Sequence, residues 1–446
     1  MIVVTASLEH AAVGRQRRRA LLASLILAAT VLVPHVVVGG IALGMDDALA
    51  LVLLAILLLA LLARRNAPLA PMTLLTAYLW IAIVVHGCLM GLAATAQYFG
   101  QPAFPTEMWQ YLKRLAFFYA AFFIASTRCG VTEAAYKGLV VVLLLATVIG
   151  VLQIGHGSVS QGLSSLYART DAQLELLVER TFATRRIYGV AGNSGAWGGF
   201  CVFIAATALP LVLVRGQKAI RHRFWRLAAW SLLILAVVNL LFSASRGALA
   251  AFLAVLLLKA TIEVAIRGGG FRALAKWLAA ALAMSVLAFY FAIDRVALLG
   301  LRLLALLEQG GGKRVDQVSV VLSLLDSASA LVTGVSNSVQ RTYGISYGVE
   351  VEPVYLLVNY GVIGIVCRYG LLLLVAWCAL AVSRRPDPWE SAAGVAALLA
   401  VMGYVVFSLG YFFFQEQYVG LLPWLLFGTV AGLHQRAWLD RRASVC

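Results

Sequence analysis

Long apolar runs broken by short charged patches repeat along the chain from Ala20 to His434. Runs of about 17 to 25 apolar residues have the length that crosses a bilayer as a helix. On that pattern the first half of the chain predicts spans over 20–38, 47–62, 72–92, 108–125, 138–155 and 189–214. The second half predicts 227–242, 247–266, 274–293, 354–382, 392–411 and 418–434, the last interrupted by Pro423, which weakens a helix by its missing N–H. The expected fold is therefore all-α and polytopic, with about twelve transmembrane helices in one integral membrane domain over residues 1–446.

Two connections are much longer than the rest. They cover 156–188 and, between the ninth and tenth spans, the roughly 60 residues 294–353. Long loops held by a rigid scaffold are where function concentrates. Neither reads as disordered, because Leu174, Leu176, Leu177 and Phe182 recur at helical spacing in the first, and Val318, Val321, Leu322 and Leu325 in the second. Short helices over the membrane face are expected there. The apolar run after Asp294 carries Arg302, which places that arginine near headgroups whether the run extends the ninth span or lies flat at the interface.

Composition agrees with the pattern. The chain is 62% hydrophobic and 12% charged, with a mean hydropathy of +0.92, whereas soluble domains are about half apolar and a quarter charged. Arg15, Arg17, Arg18 and Arg19 precede the first apolar run, but no cleavage site leads into a soluble mature region, so the run is expected to stay as a span. A net charge of +16 raises nucleic acid as a partner. The basic residues instead lie in the short turns between apolar runs, where they set orientation. With both termini cytosolic, the inner segments collect Arg64, Arg65, the cluster from Arg215 to Arg226 and the pair Arg384, Arg385, as the positive-inside rule requires. The acidic residues lean to the outer side.

Cofactor chemistry leaves no signature. Six cysteines form no CxxC pair, and six scattered histidines form no cluster, so no metal site and no disulfide framework are expected. P-loop, dinucleotide, HExxH and GxSxG motifs are absent. His35, His86 and Asn239 are isolated polar residues inside spans, expected to make interhelical hydrogen bonds rather than bind a ligand.

Arginine on the outer side is the distinctive chemistry. Arg185 and Arg186 open the sixth span, Arg246 sits in the tight turn FSASRGALA, and Arg314 follows a glycine-rich stretch. Guanidinium groups bind phosphate oxygens in a bidentate fork, and several together would stabilise the charge developing on a diphosphate leaving group. The bland alternative is that they snorkel to headgroups or pair with Glu179, Asp294 or Asp316. Arg246 stands apart, since a turn of about four residues leaves its side chain little freedom except toward the bundle.

A second element is GVEVEPVYLLVNYGVIG. Glu352 lies just outside the tenth span, with Tyr355 and Asn359 on the same helical face, and such a carboxylate would accept a proton from an attacking hydroxyl. It would equally mark a helix start backed by Pro353. Glu350, Tyr355 and Arg341 are further candidates around it. Arg368 falls mid-span, about 20 Å below the outer surface at 1.5 Å per residue, and must face protein or a polar cavity.

At these residues the chain resembles the O-antigen ligase and polymerase family of bacterial inner-membrane glycosyltransferases. RRIYGVAGNSGAWGGF resembles the family's Arg-x-x-Gly and Asn-containing helix start, and FSASRGALAAFLAVLLL its Ser-Arg-Gly signature. GKRVDQVSVVLSLLDSASALVTGVSNS is similar to its outer-loop arginine, helix and Gly turn, and EPVYLLVNYGVIG closes the long loop. The likeness covers about 185–364. The family's Asn-Pro-Asn is Asn193-Ser194-Gly195 here, and where ligases carry a histidine this chain has Glu350 and Glu352. That departure favours polymerase over ligase. The resemblance implies metal-independent, inverting glycosyl transfer at the periplasmic face, without a cofactor. Its donor would be an undecaprenyl diphosphate-linked glycan, its acceptor another carrier-linked repeat unit. Arg185, Arg186, Arg246 and Arg314 would hold the diphosphate, and Glu352 would be the base. A chain-length regulator and a flippase of the same pathway are the expected partners beyond membrane lipid. The alternatives are a ligase acting on lipid A core and a lipid-linked oligosaccharide transporter; transporters tend to show inverted repeats and broken helices, and no repeat is evident.

Overall fold

A computed structural model of the chain describes residues 21–22, 25–26, 30–34, 36–38, 41–63, 69–98, 104–127, 131–155, 157–168, 186–212, 223–265, 318–319, 322–323, 325–335, 351–411 and 420–444. The elements begin with a short antiparallel hairpin, β1 Val36–Val38 and β2 Ile41–Leu43, with Val38 opposite Ile41. Helices follow: α1 Met45–Ala63, α2 Pro71–Tyr98, α3 Phe104–Thr127, α4 Val131–Leu152, α5 Ser158–Tyr167, α6 Ser194–Val212, α7 Arg223–Ser243 and α8 Arg246–Ala265. The remainder are α9 Ala328–Thr333, α10 Glu352–Ser383, α11 Pro388–Ser408 and α12 Leu421–Ala443.

The described fold is helical apart from that hairpin. Among the described residues seven helices, α2, α4, α6, α7, α8, α10 and α11, are long and apolar enough to cross a membrane. The hairpin replaces the end of the expected first span, because three consecutive valines favour an extended chain and Gly39-Gly40 separate the two strands in sequence. The expected span over 274–293 lies outside the described residues. Pro423 does not interrupt the last helix: as the third residue of α12 it falls in the first turn, where no N–H is required, and the helix runs on to Ala443.

Burial separates inner from outer helices. Of the apolar window of α6, 94% is buried, against 28% for α2, so α6 is a central helix and α2 turns much of its apolar surface outward. Leu51, Val52, Ile56, Leu58 and Leu59 likewise face out from α1, as suits a helix solvated by lipid tails. Where helices touch, glycine allows it. A Cβ on Gly428 would lie 2.0 Å from the Phe118 carbonyl oxygen and one on Gly432 2.3 Å from that of Phe122, so α12 and α3 run parallel in backbone contact.

Interhelical polar bonds hold the core as expected for isolated polar residues in spans. Asn239 Oδ1 accepts from Trp197 Nε1 at 3.2 Å while its Nδ2 donates to the Thr147 carbonyl at 3.0 Å, tying α4, α6 and α7. His86 on α2 places Nε2 3.1 Å from the Thr333 carbonyl and 3.0 Å from that of Tyr360. His35 lies outside the described residues.

Helix α10 is broken. Gly361 has φ 63° and ψ −164°, a conformation open to glycine alone, and it divides α10 into a short arm over 352–360 and a long arm over 362–383. In a straight helix sixteen residues rise about 24 Å, well beyond the reach of two side chains. Yet Glu352 and Arg368 are in contact, so the short arm folds back beside the long one. The break is packed by α9 and the residues after it: Val335 N–H donates to the Val358 carbonyl at 2.6 Å, and a Cβ on Gly361 would meet the Val332 carbonyl oxygen at 2.1 Å.

Candidate functional site

The folded-back arm delivers Glu352 into the bundle. Its side chain, expected just outside the membrane, is fully buried at 0% exposure, and it meets the mid-span Arg368 because Gly361 reverses the chain. Arg368 Nε donates to Glu352 Oε1 at 3.3 Å and to the Tyr404 hydroxyl at 3.3 Å, and Arg368 Nη2 donates to that hydroxyl at 3.2 Å. The Tyr404 hydroxyl in turn donates to Glu352 Oε1, closing a triangle between α10 and α11. Glu352 Oε2 has no hydrogen-bond partner among the described residues. Tyr355 and Asn359 are buried on the same short arm.

A second buried arginine stands beside the triangle. Arg114 on α3 is 1% exposed and shares the electrostatic surroundings of Arg368, Tyr404, Glu352 and Tyr111. Its guanidinium carbon lies 5.8 Å from the Tyr111 ring centre, and that of Arg368 lies 5.7 Å from Tyr404 and 5.2 Å from Trp424. At 1.5 Å per residue, Arg114, Arg368 and Tyr404 sit about 20 to 24 Å from the helix ends at Thr127, Ser383 and Pro388. The charged layer is therefore far from those ends and nearer the opposite ones, with Tyr404 four residues, about 6 Å, from Ser408. A small pocket of about 10 Å³ opens beside the layer, lined by His86, Tyr111, Tyr360 and Arg368 among apolar side chains. A larger one of about 60 Å³ between α3, α4, α11 and α12 is mostly apolar and offers no comparable chemistry.

Two of the expected outer arginines share one turn. Only Ala244 and Ser245 separate α7 from α8, and Ala244 takes φ 50°, a left-handed conformation costly for a residue with a Cβ. Arg246 begins α8, and Arg186 Nε donates to the Ser243 carbonyl of the same turn at 3.0 Å. The Asn193 side chain caps α6 alongside, accepting from Gly195 N–H at 2.7 Å and Ala196 N–H at 3.2 Å, so the Asn-containing helix start is as expected. A Cβ on Gly195 would touch Tyr411, and one on Gly247 would reach Phe407 at 3.7 Å. Phe407 is about one turn along α11 from Tyr404, so the arginine turn and the buried triangle pack on the same helix. Nearby, burial pushes the Tyr188 hydroxyl up to about 12 against the opposing pull of its bond to Ser164, which leaves it a donor at neutral pH.

Charges elsewhere in the bundle are paired. Lys113 Nζ lies 2.5 Å from Asp46 and 2.8 Å from Asp47, while Glu390 is held by Arg385 at 2.6 Å and by Arg436. Lys259 pairs with Glu263 on α8. Among the described residues no group of histidine, cysteine or carboxylate side chains has the form of a metal site.

Of the expected site residues, Arg186 and Arg246 share one locus, Glu352, Tyr355 and Arg368 another, and Arg185, Arg314, Arg341 and Glu350 lie outside the described residues. Arg114 and Tyr404 were not anticipated. Arg114 carried a signal, since an arginine inside an expected span is itself a functional flag. Tyr404 carried none, as tyrosine is ordinary in a span. No protein-family model matches the chain, and no curated protein is significantly similar to it.

Proposed function

We propose that the chain is a glycan polymerase of the O-antigen ligase and polymerase type, joining undecaprenyl diphosphate-linked repeat units at the periplasmic face of a bacterial inner membrane. One observation carries this: two arginines meet at a single strained turn that packs on α11, the helix whose Tyr404 bonds a buried carboxylate also held by an arginine. Arg186 and Arg246, with Arg185 and Arg314, would hold the donor diphosphate and take up its developing charge. Glu352 Oε2 would accept the acceptor hydroxyl proton as the new bond forms at the anomeric carbon and the lipid diphosphate leaves with the old bond's electrons. Arg368 and Tyr404 orient that carboxylate through its other oxygen.

The same proposal includes twelve spans, cytosolic termini, the loop 294–353 outside, and a flippase and chain-length regulator as pathway partners. Transport is the second reading, favoured by the broken helix α10 with its buried charges, a construction typical of transporter sites.

Gene deletion with analysis of the surface glycan separates the readings. Single capped repeats are the result expected of a polymerase. Uncapped lipid A core would mean a ligase, and lipid-linked repeats trapped on the cytosolic face would mean a transporter. Complementation with Arg246→Lys, which keeps the charge and loses the fork, should then give little polymer at normal membrane levels, and polymer of unaltered length and amount would overturn the diphosphate role.

A further inference from the structure

We propose that Arg114 is the anchor of a buried oxyanion site between α3, α10 and α12, built to take a singly charged phosphoryl group of the phosphodiester class. Arg114 is 1% exposed, and both Nε and Nη2 lack a hydrogen-bond partner among the described residues. Those two nitrogens form one edge of the guanidinium plane, the edge that grips two oxygens of a phosphate or carboxylate side by side. Every other charged side chain described above in the bundle interior has a partner on the page, and this edge has none.

Charge balance points the same way. The layer holds two guanidinium groups, Arg114 and Arg368, against one carboxylate, Glu352, which is bonded to Arg368. An excess of one positive charge in an apolar bundle is costly unless it is compensated. One ionised phosphodiester oxygen pair supplies one negative charge and two acceptors. A small pocket opens on the same side: Tyr111, whose ring lies under Arg114, lines it together with Arg368 and His86. Trp424 and Tyr404 supply aromatic faces around the layer. This site is separate from the Arg186 and Arg246 turn, and its occupancy is measurable without any transfer reaction.

Protein purified in a phosphate-free maltoside detergent would be titrated with farnesyl diphosphate, and separately with inorganic phosphate, reading the thermal midpoint and the dissociation constant. Both probes should stabilise the parent protein, and a response to farnesyl diphosphate alone would assign the site to lipid-borne phosphate. Arg114→Met should weaken binding by about tenfold or more, the scale of lost charge-assisted hydrogen bonds. The same variant should be at least as heat-stable as the parent when no probe is present, because it removes an uncompensated buried charge. Arg114→Lys, which keeps the charge without the edge, should bind weakly and serves if the methionine variant does not fold. Unchanged affinity in the folded variants, or no response of the parent to either probe, would overturn the proposal.

Discussion

Glu352 and Arg368 are sixteen residues apart within one helical segment, and their side chains meet at 3.3 Å because Gly361 folds the segment back on itself. Both are buried, so their energetics follow the rules for internal ion pairs: removing one partner costs far more than removing both.

Glu352→Gln is therefore expected to destabilise the protein by about 3 to 5 kcal/mol, a cost that Arg368→Gln in the same chain should largely relieve. Thermal unfolding of the two single variants and the double variant checks this. Catalysis gives a different signature. If Glu352 is the base, transfer falls by about 10² to 10⁴ in the single variant and stays low in the double variant even as stability returns. Recovery of transfer along with stability would exclude Glu352 as the base.

Gly361→Ala should abolish the break. Its Cβ would lie 2.1 Å from a backbone carbonyl oxygen at a positive φ, and neither backbone can yield cheaply. Gly370→Ala, in the long arm, meets only the tip of Leu79 at 3.4 Å and should be tolerated. Comparable yields of folded protein from the two variants would contradict the folded-back arm.

At Ala244 the direction reverses. Glycine removes the strain of φ 50°, so Ala244→Gly should stabilise by about 1 kcal/mol or less, whereas the β-branched Ala244→Val should lower the melting point. Loss of transfer in a more stable Ala244→Gly protein would show that the strain holds Arg246 in place.

Orientation is open to a direct test in a cysteine-free background. The positive-inside bias predicts that an impermeant thiol reagent labels Gln309→Cys and spares Gln217→Cys. The opposite pattern would invert the bundle and remove the arginine turn from the periplasm.

Much of the helical plan was legible because apolar runs of spanning length leave little choice in lipid. The Asn193 helix start came from the family resemblance, while the interhelical role of Asn239 followed from residue type and place. The break in α10 was not legible: NYGVIG reads as an uninterrupted span, and only the packing of Val332 and Val335 against Gly361 and Val358 reveals that this glycine adopts a conformation others cannot. The contact between Glu352 and Arg368 was not foreseen for that reason, since a straight rise would keep them apart. Arg114 was overlooked because its span was read as one apolar run, in which Lys113 and Arg114 precede a stretch rich in phenylalanine.

The backbone bond from Val335 to Val358 makes the segment before α10 mechanically continuous with the short arm. His86 fastens both to α2 through the carbonyls of Thr333 and Tyr360, which turns α2 into the fulcrum. The arm is then a lever about one and a half nanometres long or less, with Glu352 at its free end and α9 at its hinge. The position of a carboxylate that no solvent reaches is thus tied, through backbone and one imidazole, to α9 and α2.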